Sequence, residues 1–106
     1  MVNAVRGEIA AVLDGETFTL CLTLGALASL ETAMGARNLA ELSQRFGTGE
    51  LASSDLLKIL TAGLQGGGNP VSEIEVANMK VEGGVVGYVE IVARLLNATF
   101  TPLSDE

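Results

Sequence analysis

An aspartate-glycine pair between two alternating segments is the feature that most constrains this fold. Asp14-Gly15 favours the positive φ angles of a two-residue hairpin turn. Period-two alternation before and after the turn places one set of apolar side chains on a common face: Ile9, Ala11, Leu13, Phe18, Leu20 and Leu22. The predicted hairpin therefore has one apolar side that the rest of the chain must cover.

A helix follows the hairpin without a break. Thr23 is a residue type that caps helix N-termini, and Gly35 is one that ends helices. Between them the apolar residues recur at helical spacing, at Leu24, Leu27, Leu30 and Met34. This helix is expected to fold back near the hairpin.

The apolar period then stays near 3.6, which predicts an α+β fold with an N-terminal antiparallel β-hairpin followed by four to five helices. Asn38 with Glu41, and Ser72 with Glu75, have the spacing of helix-capping pairs. A longer helix is predicted between Ser53-Ser54-Asp55 and the glycines at 66–68. The last helix is predicted at about 84–98.

The pattern also predicts which side chains face solvent. The expected wet side of the third helix comprises Asp55, Lys58, Thr61 and Gln65, and Ile74 and Ala77 are expected to face inward on the fourth helix. A polar stripe on the last helix comprises Gly87, Glu90, Arg94 and Asn97, with Glu90 placed to pair with Arg94.

The last helix is apolar over most of its circumference. Either it lies at the centre of the core or a partner protein covers part of it, and the sequence leaves both alternatives open. If a partner docks, the candidate contacts are apolar residues left over after the core is counted, namely Leu51, Val86 and Ile91.

Length and charge bound the possible functions. The chain has 106 residues, expected to form one domain over 1–106 with a frayed tail at 101–106. Thirteen acidic residues against six basic ones, with no histidine, give a net charge of −7. This balance disfavours nucleic-acid binding. We expect a cytoplasmic protein, because the sequence contains neither a membrane-span pattern nor a signal-peptide pattern.

Residue types exclude most catalytic chemistry. Without histidine and with Cys21 as the lone cysteine, the chain lacks the ligands of an ordinary zinc site and the parts of a Ser-His-Asp triad. The triple glycine lacks the lysine of a phosphate-binding loop, and Glu73 and Glu75 do not share a helix face. No enzymatic activity, cofactor or metal is expected.

Several motifs together resemble the gene transfer agent family of phage-tail-related proteins. The resemblance spans nearly the whole chain and is carried by Asn3-Ala4-Val5-Arg6-Gly7-Glu8, Val12-Leu13-Asp14-Gly15, Leu20-Cys21-Leu22-Thr23-Leu24-Gly25-Ala26-Leu27 with Leu30-Glu31, Ser54-Asp55-Leu56-Leu57, Gly63-Leu64-Gln65-Gly66-Gly67-Gly68 and Val71-Ser72.

The resemblance implies a non-enzymatic tail assembly chaperone. Such a protein coats the tape measure protein until tail tube subunits replace it, so both are expected partners. The same family also carries a tail tube label, which makes a structural component of a phage-like particle the first alternative. A regulatory protein-binding module is the second alternative, and self-association is left open. The resemblance assigns no catalytic residue.

Overall fold

A computed structural model describes residues 7–47 and 51–100 of the chain. Two strands precede five helices: β1 (Glu8–Leu13), β2 (Glu16–Cys21), α1 (Leu24–Met34), α2 (Leu39–Gly47), α3 (Ser53–Gly66), α4 (Glu73–Ala77) and α5 (Val85–Phe100). The predicted α+β class is confirmed. The expected frayed tail at 101–106 lies outside the described residues.

The hairpin turns where its sequence predicts. Asp14 and Gly15 have φ angles of 54° and 75°, and the strands pair antiparallel so that Leu13 faces Glu16. On the apolar face, Ile9 lies opposite Leu20, and both are buried. The hairpin thus supplies one wall of the hydrophobic core.

Local capping signals set three helix starts. The Thr23 side chain accepts a hydrogen bond from the Ala26 backbone N–H at 3.1 Å, and the Asn38 side chain accepts one from the Glu41 N–H at 2.9 Å. At α4, the Ser72 hydroxyl accepts from the Glu75 N–H. Each cap satisfies a donor that a helix N-terminus otherwise leaves unpaired.

Helix α3 occupies the centre of the fold, packed against β2, α1, α4 and α5. Its C-terminal end approaches β2 very closely, because Gly66 and Gly67 carry no side chains. An ideal Cβ on Gly66 would lie 2.0 Å from the Cys21 carbonyl oxygen, and one on Gly67 would lie 2.0 Å from that of Thr19. Asn69 joins the same contact by donating from Nδ2 to the Thr19 oxygen at 2.8 Å.

Tertiary packing overrides three solvent-exposure predictions. Thr61 is buried rather than wet, because its hydroxyl donates to the Leu57 carbonyl oxygen and needs no water. On α4, Ile74 and Ala77 are exposed and Val76 is the buried residue. A five-residue helix contains too few apolar positions to fix which side faces inward.

The expected polar stripe on α5 is wrong at Gly87. This glycine is buried, and an ideal Cβ there would lie 2.2 Å from the Glu82 carbonyl oxygen. Further along the helix, Arg94 donates to the Ala10 carbonyl oxygen of β1 at 3.0 Å. Contacts with backbone carbonyl oxygens at Gly87 and Arg94 therefore position α5. The first turn of α5 lies beside α3 and α4.

Candidate protein-binding surface

An apolar groove lies between α3, α4 and the first turn of α5. Its volume is about 270 Å³. The lining is mostly aliphatic and comprises Ser53, Leu56, Leu57, Leu60, Val76, Ala77, Val85 and Tyr88. Because the lining comes from three separate helices, the groove exists only in the folded chain.

The floor of the groove is one face of α3. Ser53, Leu56, Leu57 and Leu60 recur at i, i+3, i+4 and i+7, the spacing that aligns side chains on one side of a helix. Tyr88 helps to fix the opposite wall, since its hydroxyl donates to the Met79 carbonyl oxygen in the segment before α5. That bond ties the α4–α5 connection to the helix that follows it.

Exposed valines continue the groove onto the surface of α5. Val85 lines the groove and is 71% exposed, Val86 is also 71% exposed, and Val89 follows Val85 one turn later and is 47% exposed. We call Val85, Val86 and Val89 the valine patch. Scattered apolar residues are normal on protein surfaces, but three within two helical turns beside an apolar groove indicate a contact surface.

The structure places the three sequence candidates in different environments. Val86 belongs to the exposed valine patch, and Leu51 is half-buried against the core just before α3. Ile91 is only 5% exposed and packs in the core, so it offers no surface to a partner in this conformation. The difference follows from the helical rotation of about 100° per residue, which separates Ile91 from Val86 by more than a third of a turn.

The sequence pointed to α5 but missed the groove itself. The i, i+3, i+4, i+7 row on α3 is visible in the sequence, but the same spacing is equally typical of a helix face buried in the core. Leu56 and Leu57 differ from the fully buried Ile59 in being partly exposed beside α4. That exposure depends on which elements pack nearby.

Acidic side chains outnumber basic ones on the elements around the groove. Glu73 lies one turn before Val76 and Ala77 on the groove side of α4, while Glu82 precedes α5 and Glu90 follows Val86 at i+4. All three carboxylates are exposed. The basic residues on these elements, within the described ranges, are Lys58, Lys80 and Arg94. The groove is therefore apolar inside and predominantly acidic outside.

The described residues contain neither a cluster of metal ligands nor a membrane-spanning helix. Within residues 7–47 and 51–100, no three His, Cys, Asp or Glu residues cluster as metal ligands, and Cys21, the single cysteine of the chain, is half-buried on β2. No helix in the described part of the chain is both long and apolar enough to cross a membrane.

Comparison with known proteins gives one family. A family model described as phage tail tube protein, GTA-gp10, matches residues 6–101. This match confirms the resemblance to phage-tail-related proteins of gene transfer agents. No curated protein matches the chain, and no solved structure does.

Proposed function

Because the chain belongs to the phage tail tube protein, GTA-gp10, family, we propose that it serves tail assembly as a chaperone for the tape measure protein. In this proposal the groove and the valine patch shield an apolar part of the tape measure until tail tube subunits take its place. The role is one of binding and requires no enzymatic activity.

The observation that carries the proposal is the valine patch beside the groove. Val85 and Val86 leave most of their apolar surface in water. Burying both against a partner would contribute roughly 2–4 kcal/mol, scaled from the value for a fully buried aliphatic side chain. A contribution of that size changes a dissociation constant by about 30-fold or more.

The net charge of the chain suits the same role. A charge of −7 on a small protein opposes self-aggregation by mutual repulsion. A complex that covers an apolar partner with such a protein would gain the same protection. The acidic surface therefore supports a chaperone that keeps an aggregation-prone partner in solution.

Co-expression with the tape measure protein of the same gene cluster tests the proposal. Affinity pull-down and size exclusion should recover a soluble complex, and Val86→Glu should reduce recovery at least tenfold because it places a charge in the apolar contact. Val12→Glu is the matched control, since Val12 is 56% exposed on β1, outside the groove lining. Equal loss with both variants, or no complex with the unaltered chain, would contradict the proposal.

A structural tail component is the second candidate, and the family's tail tube description favours it. Tube rings close by joining sheets, whereas the described residues form a two-stranded sheet. Recovery of this chain at many copies in purified particles would establish the structural role instead.

A further inference from the structure

We propose that the groove binds an amphipathic helix of another protein whose apolar stripe is flanked by lysine or arginine. The inference rests on the proposed function for the groove as a docking surface, and it names the chemistry of the segment that docks. It follows from the shape of the groove, the backbone that lines it and the charge around it.

The groove floor fits a short helical segment. From Ser53 to Leu60 the floor extends seven residues along α3, about 10 Å at 1.5 Å per residue, which equals two turns of a second helix. Its volume of about 270 Å³ falls below the roughly 300–1,000 Å³ typical of small-molecule pockets. Two or three side chains at positions i, i+3 and i+4 of a docked helix would fit both the length of the groove floor and the volume of the groove.

The backbone around the groove disfavours an extended occupant. A strand that binds a protein gains its affinity by pairing with unpaired backbone groups of a sheet edge. The residues that line the groove all belong to α3, α4 and α5, so the groove presents helix side chains and no edge of the β1–β2 sheet. A helix satisfies its own backbone and can present side chains alone.

The charge around the groove selects a basic partner over a second copy of this chain. Glu73, Glu82 and Glu90 are exposed on the groove-forming segments, and two copies would each bring a charge of −7. Lysine or arginine beside the apolar stripe of the docking helix would place opposite charge near these carboxylates. Complementary charge at the rim of a contact raises the association rate and confers selectivity.

Two synthetic helical peptides test this chemistry directly. Both carry leucines at i, i+3, i+4 and i+7 in an alanine-based helix of about 15 residues, and they differ only in having lysine or glutamate beside the leucines. Binding to the full chain is measured by fluorescence anisotropy at low and at high salt. The lysine peptide should bind at least tenfold more tightly at low salt, and this difference should shrink as salt screens the charges.

Charge-neutralising variants locate the effect. Glu73→Gln and Glu90→Gln should each weaken the lysine peptide about two- to fivefold, the range for one exposed ion pair. Glu16→Gln removes the same charge at the exposed hairpin turn and should leave binding unchanged. Circular dichroism of each variant checks that the fold persists. Equal loss with Glu16→Gln, or equal binding of the two peptides, would overturn the proposal.

The two proposals fail in distinguishable ways. Binding of the lysine peptide without any tape measure complex would refute the chaperone role and leave the groove chemistry intact. A tape measure complex that is insensitive to Glu73→Gln and Glu90→Gln, together with no peptide preference, would refute the basic-helix inference alone. A dimer of this chain that Val85→Glu dissociates would assign the groove to a second copy and overturn the inference.

Discussion

Gly66 lies where the last turn of α3 meets strand β2, and a methyl group has no room there. An ideal Cβ at this position would lie 2.0 Å from the Cys21 carbonyl oxygen, a backbone atom that no side-chain rotation can move away. Ordinary carbon-oxygen contacts begin at about 3.3 Å. We therefore predict that Gly66→Ala forces the helix and the strand apart by about 1.3 Å.

The expected cost follows from what this separation disturbs. Asn69 Nδ2 donates to the Thr19 carbonyl oxygen at 2.8 Å across the same junction. Weakening this bond costs about 1–3 kcal/mol, and overpacking costs about 1–3 kcal/mol more. The higher helix propensity of alanine offsets about 1 kcal/mol of this destabilisation. The free energy of unfolding should fall by about 1–5 kcal/mol.

Urea unfolding followed by circular dichroism measures this difference, and the thermal midpoint should fall by about 5 °C or more. Gly25→Ala is the matched control, because an ideal Cβ on Gly25 in α1 meets just the Thr23 hydroxyl oxygen, at 3.9 Å. That variant should be neutral or stabilising by up to about 1 kcal/mol. If Gly66→Ala unfolds at the same urea concentration as the unaltered chain, the close α3–β2 contact is wrong.

Three further predictions concern caps and polar contacts. Thr23→Ala should lower the free energy of unfolding by about 1 kcal/mol through loss of the α1 cap, measured by urea unfolding. Asn69→Ala should cost about 1–3 kcal/mol, whereas the exposed Asn78→Ala should cost under about 1 kcal/mol, so equal effects would contradict the α3–β2 junction. Hydrogen bonds from the Arg37 backbone N–H and guanidinium lower the pKa of Glu41 below its ordinary 4.5. Ionised Glu41 therefore stabilises the fold above pH 4.5, and this contribution is lost as the pH falls through the lower pKa of the folded state. An NMR titration of Glu41 with a midpoint at or above pH 4.5 would refute this prediction.

The hairpin and the helix caps could be predicted because their causes are local. A two-residue turn needs positive φ, which Asp14-Gly15 supplies, and a cap needs a side-chain acceptor three residues before a free N–H, as at Ser72. Neighbours along the chain decide these features, and the printed sequence contains all of them.

Side-chain exposure on α4 and α5 could not be predicted because distant elements decide it. Val76 is buried and Ile74 exposed according to how α3 meets α4, and Ile91 is buried by the packing of α5 on β1 and α3. The hairpin turn is also tied to a distant segment, since the Lys80 N–H donates to the Asp14 carboxylate at 2.8 Å. No local pattern encodes a contact across 66 positions.

The groove depends partly on local sequence and partly on the packing of distant elements. Its α3 floor follows from a regular apolar row, but its opening depends on the short α4 and on the start of α5. The sequence therefore indicated excess apolar surface without locating it. The organisation of 1–106 as one domain stays a prediction, which a single cooperative unfolding transition would support.

The most direct test of the central claim follows this chain through tail assembly. The purified complex with tape measure protein is mixed with tail tube subunits, and the products are separated by size exclusion and compared with purified particles by quantitative mass spectrometry. The chaperone account predicts that this chain leaves the tape measure as tube subunits bind and is absent from finished particles. Retention at a fixed, multiple copy number in the particles would contradict it and establish a structural role in the tail.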